Sequence, residues 1–589
     1  MRRESGWPNR NTLWAAAFVD ELAAGGVSAV CIAPGSRSTP LTVAFADHPA
    51  IEVFSHLDER SMGFFALGRA KRTGDPTPLL STSGTATANF HPAVIEANQA
   101  RVPLLVLTAD RPPALRDSGA NQTIDQQKLY GSAVRWYHEL PEPEANGRKL
   151  RSLRVTAARA LAASTGTPPG PVHLNFPFRK PLEPVPVSDD VPDDFTETEP
   201  LAASGRDGPF VHTAQGRPAL DDATTERVRA ALAVERGLVV AGPSTDLDAG
   251  AIAALADSTG FPVLADPLSG LRFGSHRADA LVCGGYDSYL DIDGWPAPDV
   301  VFRVGASPTS KVLRGYLRDA ARESGTHQFV VDPAGGWREA TFAASDLLVA
   351  DPNRLAYDLA ERVEGPTSDG WRERFAAAER RYWELVADAH DEQFFEGTVM
   401  SDVFADASDP ATVFVSNSMT VRDADRFGGP RDDTLTVLGN RGASGIDGVI
   451  SSGLGAGSAT DDPLVLVLGD LAYYHDMNGL LALSRCDVDA TIVLVNNDGG
   501  GIFRMLPIAD FESVFEQFET PHGLDFAPTG ELYGFEFVRP DGRAAFREAY
   551  RASLDSDGTQ VIEASFDSAA SHRFREAVHE RVLDALDGD

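Results

Sequence analysis

The chain is poor in lysine, which occurs only at positions 71, 128, 149, 180 and 311 of 589. Its three cysteines, Cys31, Cys283 and Cys486, lie far apart, without the spacing of a metal site or a disulfide framework. No apolar run reaches the roughly 18 residues that a bilayer span needs. No basic stripe is present, which disfavours nucleic acid as a partner. A GxGxxG turn between a strand and a helix is also missing, so a nicotinamide-linked oxidoreductase would lack its phosphate loop. The glycines of SGLGAGSA precede an apolar run instead of following one, and close helix packing is their expected use. The N-terminus, MRRESGWPNRNTLWAAAF, reads as the start of a helix, not as a leader peptide. Together these absences point to a cytoplasmic protein with no membrane partner.

What is abundant is acid. Asp and Glu number 86 against 52 Lys and Arg, a net charge of −34. The acids are spread through stretches such as DDVPDDFTETEP and DLDAGA and are not gathered in one tail. Distributed acid with scarce lysine suggests a high-salt, halophilic cytosol, where screening at about 1 M shortens electrostatic reach to about 3 Å. A hydrophobic share of 43% is globular, and the length implies two to four domains.

Three α/β blocks follow from the patterning. Residues 1–185 alternate helical periodicity with the apolar runs VSAVCIAPG, PLLSTSGTA, VPLLVLTADR and PVHLNFP, each ending in a polar loop. Residues 186–220 are rich in Pro and Asp and read as a linker. Strands are expected in 221–365 at GLVVAGP, FPVLAD, VVFRVG and QFVVDP. Residues 366–589 open on a long helix and continue through TVFVSNS, TLTVLGN, LVLVLGD, ATIVLVNN and QVIEASF. Alternation of this kind predicts mostly parallel sheets flanked by helices, with sites at the strands' C-terminal ends. The first and third blocks share a rhythm but no strong sequence repeat.

One stretch carries chemistry directly. In LVLGDLAYYHDMNGLLALSRCDVDATIVLVNNDGGGIF, one apolar run ends in Gly469-Asp470 and the next in Asn496-Asn497. A carboxylate from Asp470, an amide oxygen from Asn497 and the carbonyl of Gly499 form an oxygen-only set suited to Mg²⁺ or another hard cation. One carboxylate among neutral oxygens implies that a diphosphate supplies the remaining charge. The segment between is expected to be a crossover helix. His56 and His475 lie near these segments, and both can be structural.

GD followed by NN resembles the diphosphate–metal motif of thiamine-diphosphate enzymes, with Leu471 where their pattern has a third glycine. The segments APGSRSTPL, HLDERSMGFFALGRAK, LTADRPPALRDSGANQTIDQ, NRGASGIDG and NNDGGGIFRMLP together resemble the 2-succinyl-5-enolpyruvyl-6-hydroxy-3-cyclohexene-1-carboxylate synthase family. The resemblance implies a three-domain thiamine-enzyme architecture and a carboligase of menaquinone biosynthesis. Such an enzyme decarboxylates 2-oxoglutarate and adds the resulting carbanion to isochorismate. It implies Mg²⁺, with Mn²⁺ as a possible substitute, and a homodimer or homotetramer in which the pyrimidine half of one subunit faces the diphosphate half of another. Residue by residue, Glu59 would be the acid–base partner of the aminopyrimidine, and Ser83, Gly84 and Thr85 would line it. Ile446 would be the wedge that bends the cofactor. Gly469, Asp470 and Asn497 would hold the diphosphate and metal, with Gly499 a further metal ligand. Ile502, Phe503 and Leu506 would wall the reacting carbon. Ser36, Arg37, Arg111, Asn121, Gln122, Ser418, Arg422, Arg441 and, more remotely, Lys311 would face the di-anionic substrates, since arginine forks suit carboxylates. Two rivals remain open here: a thiamine enzyme acting on pyruvate, and a cofactor-binding protein without activity.

Overall fold

The computed structural model describes residues 7–363, 365 and 368–587. The first six residues of the expected N-terminal helix, and the block boundary near 366, lie outside the described set. The first described helix is Arg10–Ala24.

Among the described residues three six-stranded parallel sheets are present. The first holds β1 (Ala29–Ala33), β2 (Glu52–Ser55), β3 (Thr77–Ser81), β4 (Leu104–Asp110), β5 (Trp136–Glu139) and β6 (Pro171–Pro177), in the order 2-1-3-4-6-5. The second holds β7 (Gly237–Ala241), β8 (Val263–Ala265), β9 (Val282–Cys283), β10 (Val300–Val304), β11 (His327–Val331) and β12 (Asp346–Leu348), in the order 12-11-10-7-8-9. The third holds β13 (Ala411–Val415), β14 (Leu435–Leu438), β15 (Leu464–Gly469), β16 (Thr491–Asn496), β17 (Glu536–Val538) and β18 (Gln560–Ser565), in the order 14-13-15-16-18-17. Renumbered from its own first strand, the third order is the same as the first. The two blocks that share only a rhythm in sequence therefore share a topology.

The expected α/β class is thus observed, and the apolar runs explain it. Central strands such as β1, β3, β4 and β6 are buried along their whole length, as helices on both faces require. Five strands escape the sequence patterning: β2, β5, β9, β12 and β17. All five lie at sheet edges. An edge strand meets less apolar surface, and all but the two-residue β9 carry exposed or half-buried side chains.

The described chain divides into two compact units. One comprises the first sheet together with residues 440–461 and 475–488, and the other comprises the central and third sheets. The stretch 186–220, read as a linker, contains the short helices Phe195–Thr198 and Pro200–Ser204, and Phe195, Ala202 and Ala203 are buried in the first unit's core. In the same unit the helix Val449–Gly457 packs closely on Glu59–Thr73. Glycine permits the approach: a Cβ on Gly68 would stand 1.7 Å from the Ser452 carbonyl oxygen, and one on Gly455 would stand 1.9 Å from that of Phe65. These contacts give the glycines of SGLGAGSA the packing role expected of them.

Replacing Gly68 by alanine should lower the thermal unfolding midpoint in molar KCl, since overpacking costs about 1–3 kcal/mol. Gly315→Ala is the control. It lies in the helix Lys311–Glu323 with open space around it and should leave the midpoint unchanged or raise it.

Candidate cofactor and metal site

In the first unit the candidate residues follow the C-terminal ends of β1, β2, β3 and β4. The strand order reverses between β1 and β3, which is where parallel α/β sheets hold ligands. Arg37 lies in the turn Ser36–Ser38 after β1, and its backbone N–H donates to Thr82 Oγ1 (3.2 Å) in the loop after β3. Its side chain is buried. Nη1 donates to the Phe178 carbonyl (2.7 Å), while Nε is buried without a partner. Ser83 and Gln122 clasp each other: Ser83 Oγ donates to the Gln122 carbonyl (3.0 Å), and Gln122 Nε2 donates to that of Ser83 (3.1 Å). Arg111 donates from Nε and Nη2 to the Asn121 carbonyl (3.1 and 2.7 Å), so it secures the loop that carries Asn121 and Gln122. Asp110 receives the Arg111 backbone N–H, while its ion pair is with Arg116 (3.0 Å). Ser36, Arg37, Ser83, Gly84, Thr85, Arg111, Asn121 and Gln122 thus gather at one sheet edge.

Glu59 is the first residue of its helix, capped by Asp58, whose side chain accepts from the amides of Arg60 and Ser61. The Glu59 carboxylate is half-buried and makes no hydrogen bond or ion pair with another described residue. The loop bearing Arg441 and Ile446 is seated by two residues that patterning did not single out. The buried Glu96 accepts the amides of Gly442 (2.8 Å) and Ala443 (2.6 Å). Lys71 Nζ donates to Glu96 (3.2 Å) and to Asn440 Oδ1 (2.9 Å). One of the five lysines therefore serves inside the protein. Burial pushes its pKa down, and Glu96 opposes that shift.

In the second unit the predicted metal residues converge. Asp470 Oδ2 accepts the backbone N–H of Asn497 (3.2 Å) and of Gly499 (2.9 Å), and Oδ1 accepts that of Leu471 (2.7 Å). Burial pushes the Asp470 carboxyl up, and these amides and His522 pull it back. Gly499 has φ 146°, and a Cβ there would lie 2.2 Å from the Glu519 carbonyl oxygen, so only glycine completes the turn. Asn497 Nδ2 donates to Glu396 Oε1 (2.9 Å), whereas its Oδ1 is buried without a hydrogen-bond partner. A buried carboxamide oxygen in that condition, beside a buried carboxylate, fits a hard divalent cation. Among the described residues no group of three or more His, Cys, Asp or Glu is arranged to hold a metal. Ile502, Phe503 and Leu506 follow in the half-buried turns after Gly501, with the Phe503 ring against Phe518.

Ser418 ends the β13 loop at the third sheet's reversal, with φ 65°, and its carbonyl accepts from Arg422. A non-glycine residue held there is strained, as functional loops often are. Lys311 is exposed at the start of the helix Lys311–Glu323, which follows β10 of the central sheet and is capped by Ser310. Ser310 Oγ donates to Asp287, which also accepts from Arg426 (2.9 Å) on the helix that bears Arg422. One carboxylate thus links the helix that carries Arg422 to the cap of the helix that Lys311 opens.

Sequence reasoning missed Glu396, Glu96, Asp287 and His522, whose Nε2 lies 3.3 Å from Asp470 Oδ2. None carries a motif; Glu396 is 101 residues from Asn497. The expected single crossover helix is instead two, Asp470–Asp476 and Leu481–Cys486, separated by a 3₁₀ turn. The chain breaks where Asp476 accepts the Ser451 amide (2.7 Å) and Gly479 passes against Ser451. His56 is structural, packed on Phe65 and held neutral by burial, which lowers its pKa to about 4. His475 lies in the first unit, its carbonyl held by Arg60 (2.8 Å).

Two family models match this chain: the N-terminal TPP binding domain of thiamine pyrophosphate enzymes over residues 14–129, and the C-terminal TPP binding domain over residues 424–564. Among similar proteins is the 2-succinyl-5-enolpyruvyl-6-hydroxy-3-cyclohexene-1-carboxylate synthase of Haloarcula marismortui, 64% identical over 99% of this chain and 100% of its own. Proteins of the same name from Halobacterium salinarum and Roseiflexus castenholzii are 61% and 50% identical, over 98% and 95% of this chain and 99% and 97% of theirs.

Ligand-induced stabilisation tests the metal turn. Mg²⁺ with thiamine diphosphate should raise the unfolding midpoint of the native protein, as any ligand of the folded state does. Gly499→Ala should fold yet lose most of that rise, because its Cβ displaces the amide that Asp470 holds.

Proposed function

The chain belongs to the 2-succinyl-5-enolpyruvyl-6-hydroxy-3-cyclohexene-1-carboxylate synthase family, and from that premise we propose that it is a thiamine-diphosphate-dependent transferase. It decarboxylates 2-oxoglutarate and joins the remaining four-carbon unit to isochorismate by 1,4-addition. The products are CO₂ and the compound for which the family is named, an intermediate of menaquinone biosynthesis. Thiamine diphosphate, when bound, supplies a nucleophilic carbon and an electron sink for the loss of CO₂.

The chain's own residues bind, orient and move protons. Asp470, Asn497 Oδ1 and the Gly499 carbonyl hold Mg²⁺ or Mn²⁺. Glu59, without an internal partner, exchanges a proton with the aminopyrimidine nitrogen. Ser83, Gly84 and Thr85 line that ring, and Ile446, Gly469 and Ile502 contact the cofactor elsewhere. Arg37, Arg111, Arg422, Arg441 and Lys311 meet the substrate carboxylates, with Ser36, Asn121, Gln122 and Ser418 as polar partners. Phe503 and Leu506 keep water from the reacting carbon. The domains are proposed as 1–185, 221–365 and 366–589, joined by 186–220. The protein works in the cytoplasm at high salt, as a homodimer or homotetramer. The observation that carries the reading is the buried, partnerless Asn497 oxygen in a turn held by Asp470.

Purified protein in high KCl should consume isochorismate, followed by its absorbance, only when 2-oxoglutarate, thiamine diphosphate and Mg²⁺ are all present. Consumption of pyruvate instead would discard the substrate assignment. Glu59→Gln should reduce turnover by at least about 100-fold, the lower range of acid–base catalysis, while cofactor binding persists. Near-normal turnover would remove Glu59 from the mechanism.

A further inference from the structure

The Asn497 carboxamide can face a cation in two ways, and only one is useful. Its oxygen can ligate a hard cation, while its –NH₂ cannot. The two ends have nearly the same shape, so packing alone does not choose between them. We propose that Glu396 makes the choice: it is a positioning residue that fixes the Asn497 amide with its oxygen toward the metal. The inference rests on the metal reading given above.

Glu396 opens the helix Glu396–Asp406 and is 7% exposed. Its Oε1 accepts from Asn497 Nδ2 at 2.9 Å. In this contact the carboxylate oxygen accepts and the amide nitrogen donates, which selects the nitrogen end of the amide. The opposite orientation would set oxygen against oxygen and turn two N–H donors toward the cation. In the observed orientation Oδ1 is left buried without a hydrogen-bond partner. Gly501 makes room on the nitrogen side, where a Cβ would stand 2.6 Å from Nδ2. Two carboxylates thus divide the work. Asp470 holds the Asn497 backbone through its N–H, and Glu396 holds its side chain.

The test reads metal binding, not activity. Mn²⁺ is titrated into the full-length protein with thiamine diphosphate, and free Mn²⁺ is followed by electron paramagnetic resonance. Glu396→Gln lets the amide face either way and should weaken Mn²⁺ binding about 10- to 100-fold, the usual effect of losing a ligand's hydrogen-bond partner. Asn497→Asp alone should also bind weakly, because two carboxylates then face each other. The double variant Glu396→Gln/Asn497→Asp swaps donor and acceptor in the same volume and should recover binding to within a few-fold of wild type. It keeps the test decisive even if either single variant is unstable. Wild-type affinity in Glu396→Gln, or a double variant that folds but binds no better than the single variants, would overturn the proposal. Failure of the wild-type protein to take up Mn²⁺ would instead overturn the metal reading on which it rests.

Discussion

The site depends on one carboxylate at the end of one strand. β15 and β16 are adjacent and parallel, in a register that pairs Gly469 with Val495. The residue that follows β15 is Asp470, which opens the next helix with its side chain against the Asn497 amide. The chain between has only to leave the sheet, cross and return. The Asp470 carboxylate then accepts two amides of the returning turn, and hydrogen bonds to a charged group contribute about 1.5–3 kcal/mol each. These bonds fix the shape of the turn. Gly499 can follow because nothing larger fits against the Glu519 carbonyl.

Each unit holds its candidate cationic side chains in braced positions. The chain carries a net charge of −34, and these cationic side chains are nonetheless fixed within it. Arg37 is buried with one nitrogen on the Phe178 carbonyl and another left without a partner. Arg441 lies in a loop seated by the Lys71–Glu96 pair. Ser310 and Arg426, neighbours of Lys311 and Arg422 in the chain, share the carboxylate of Asp287. At molar salt the surface acids act over only about 3 Å, whereas groups shielded from solvent are screened less. An acidic surface and shielded cationic side chains are therefore compatible.

Much of this is legible in the sequence, and the parts that are not share a cause. The central strands announce themselves because burial on both faces demands continuous apolar runs. The five missed strands are edges, where that demand is relaxed. Asp470, Asn497 and Gly499 are readable because their spacing follows from one strand pairing and its crossover. Glu396, Glu96 and Asp287 are not, because each acts on a residue brought near only by the fold, and a lone Glu or Asp in an acid-rich chain carries no signal. The common topology of the first and third sheets was likewise hidden, since strand order is not written in residue identity. The break in the crossover helix follows from Ser451, which lies in a different sequence segment.

The most direct test of a preformed metal turn is an anomalous-scattering crystal structure with Mn²⁺ and thiamine diphosphate, compared with one lacking both. The account predicts Mn²⁺ bound by Asp470, Asn497 Oδ1 and the Gly499 carbonyl, with the turn in the same conformation in both crystals. Mn²⁺ at other residues, or a turn that forms only when the ion is present, would contradict it.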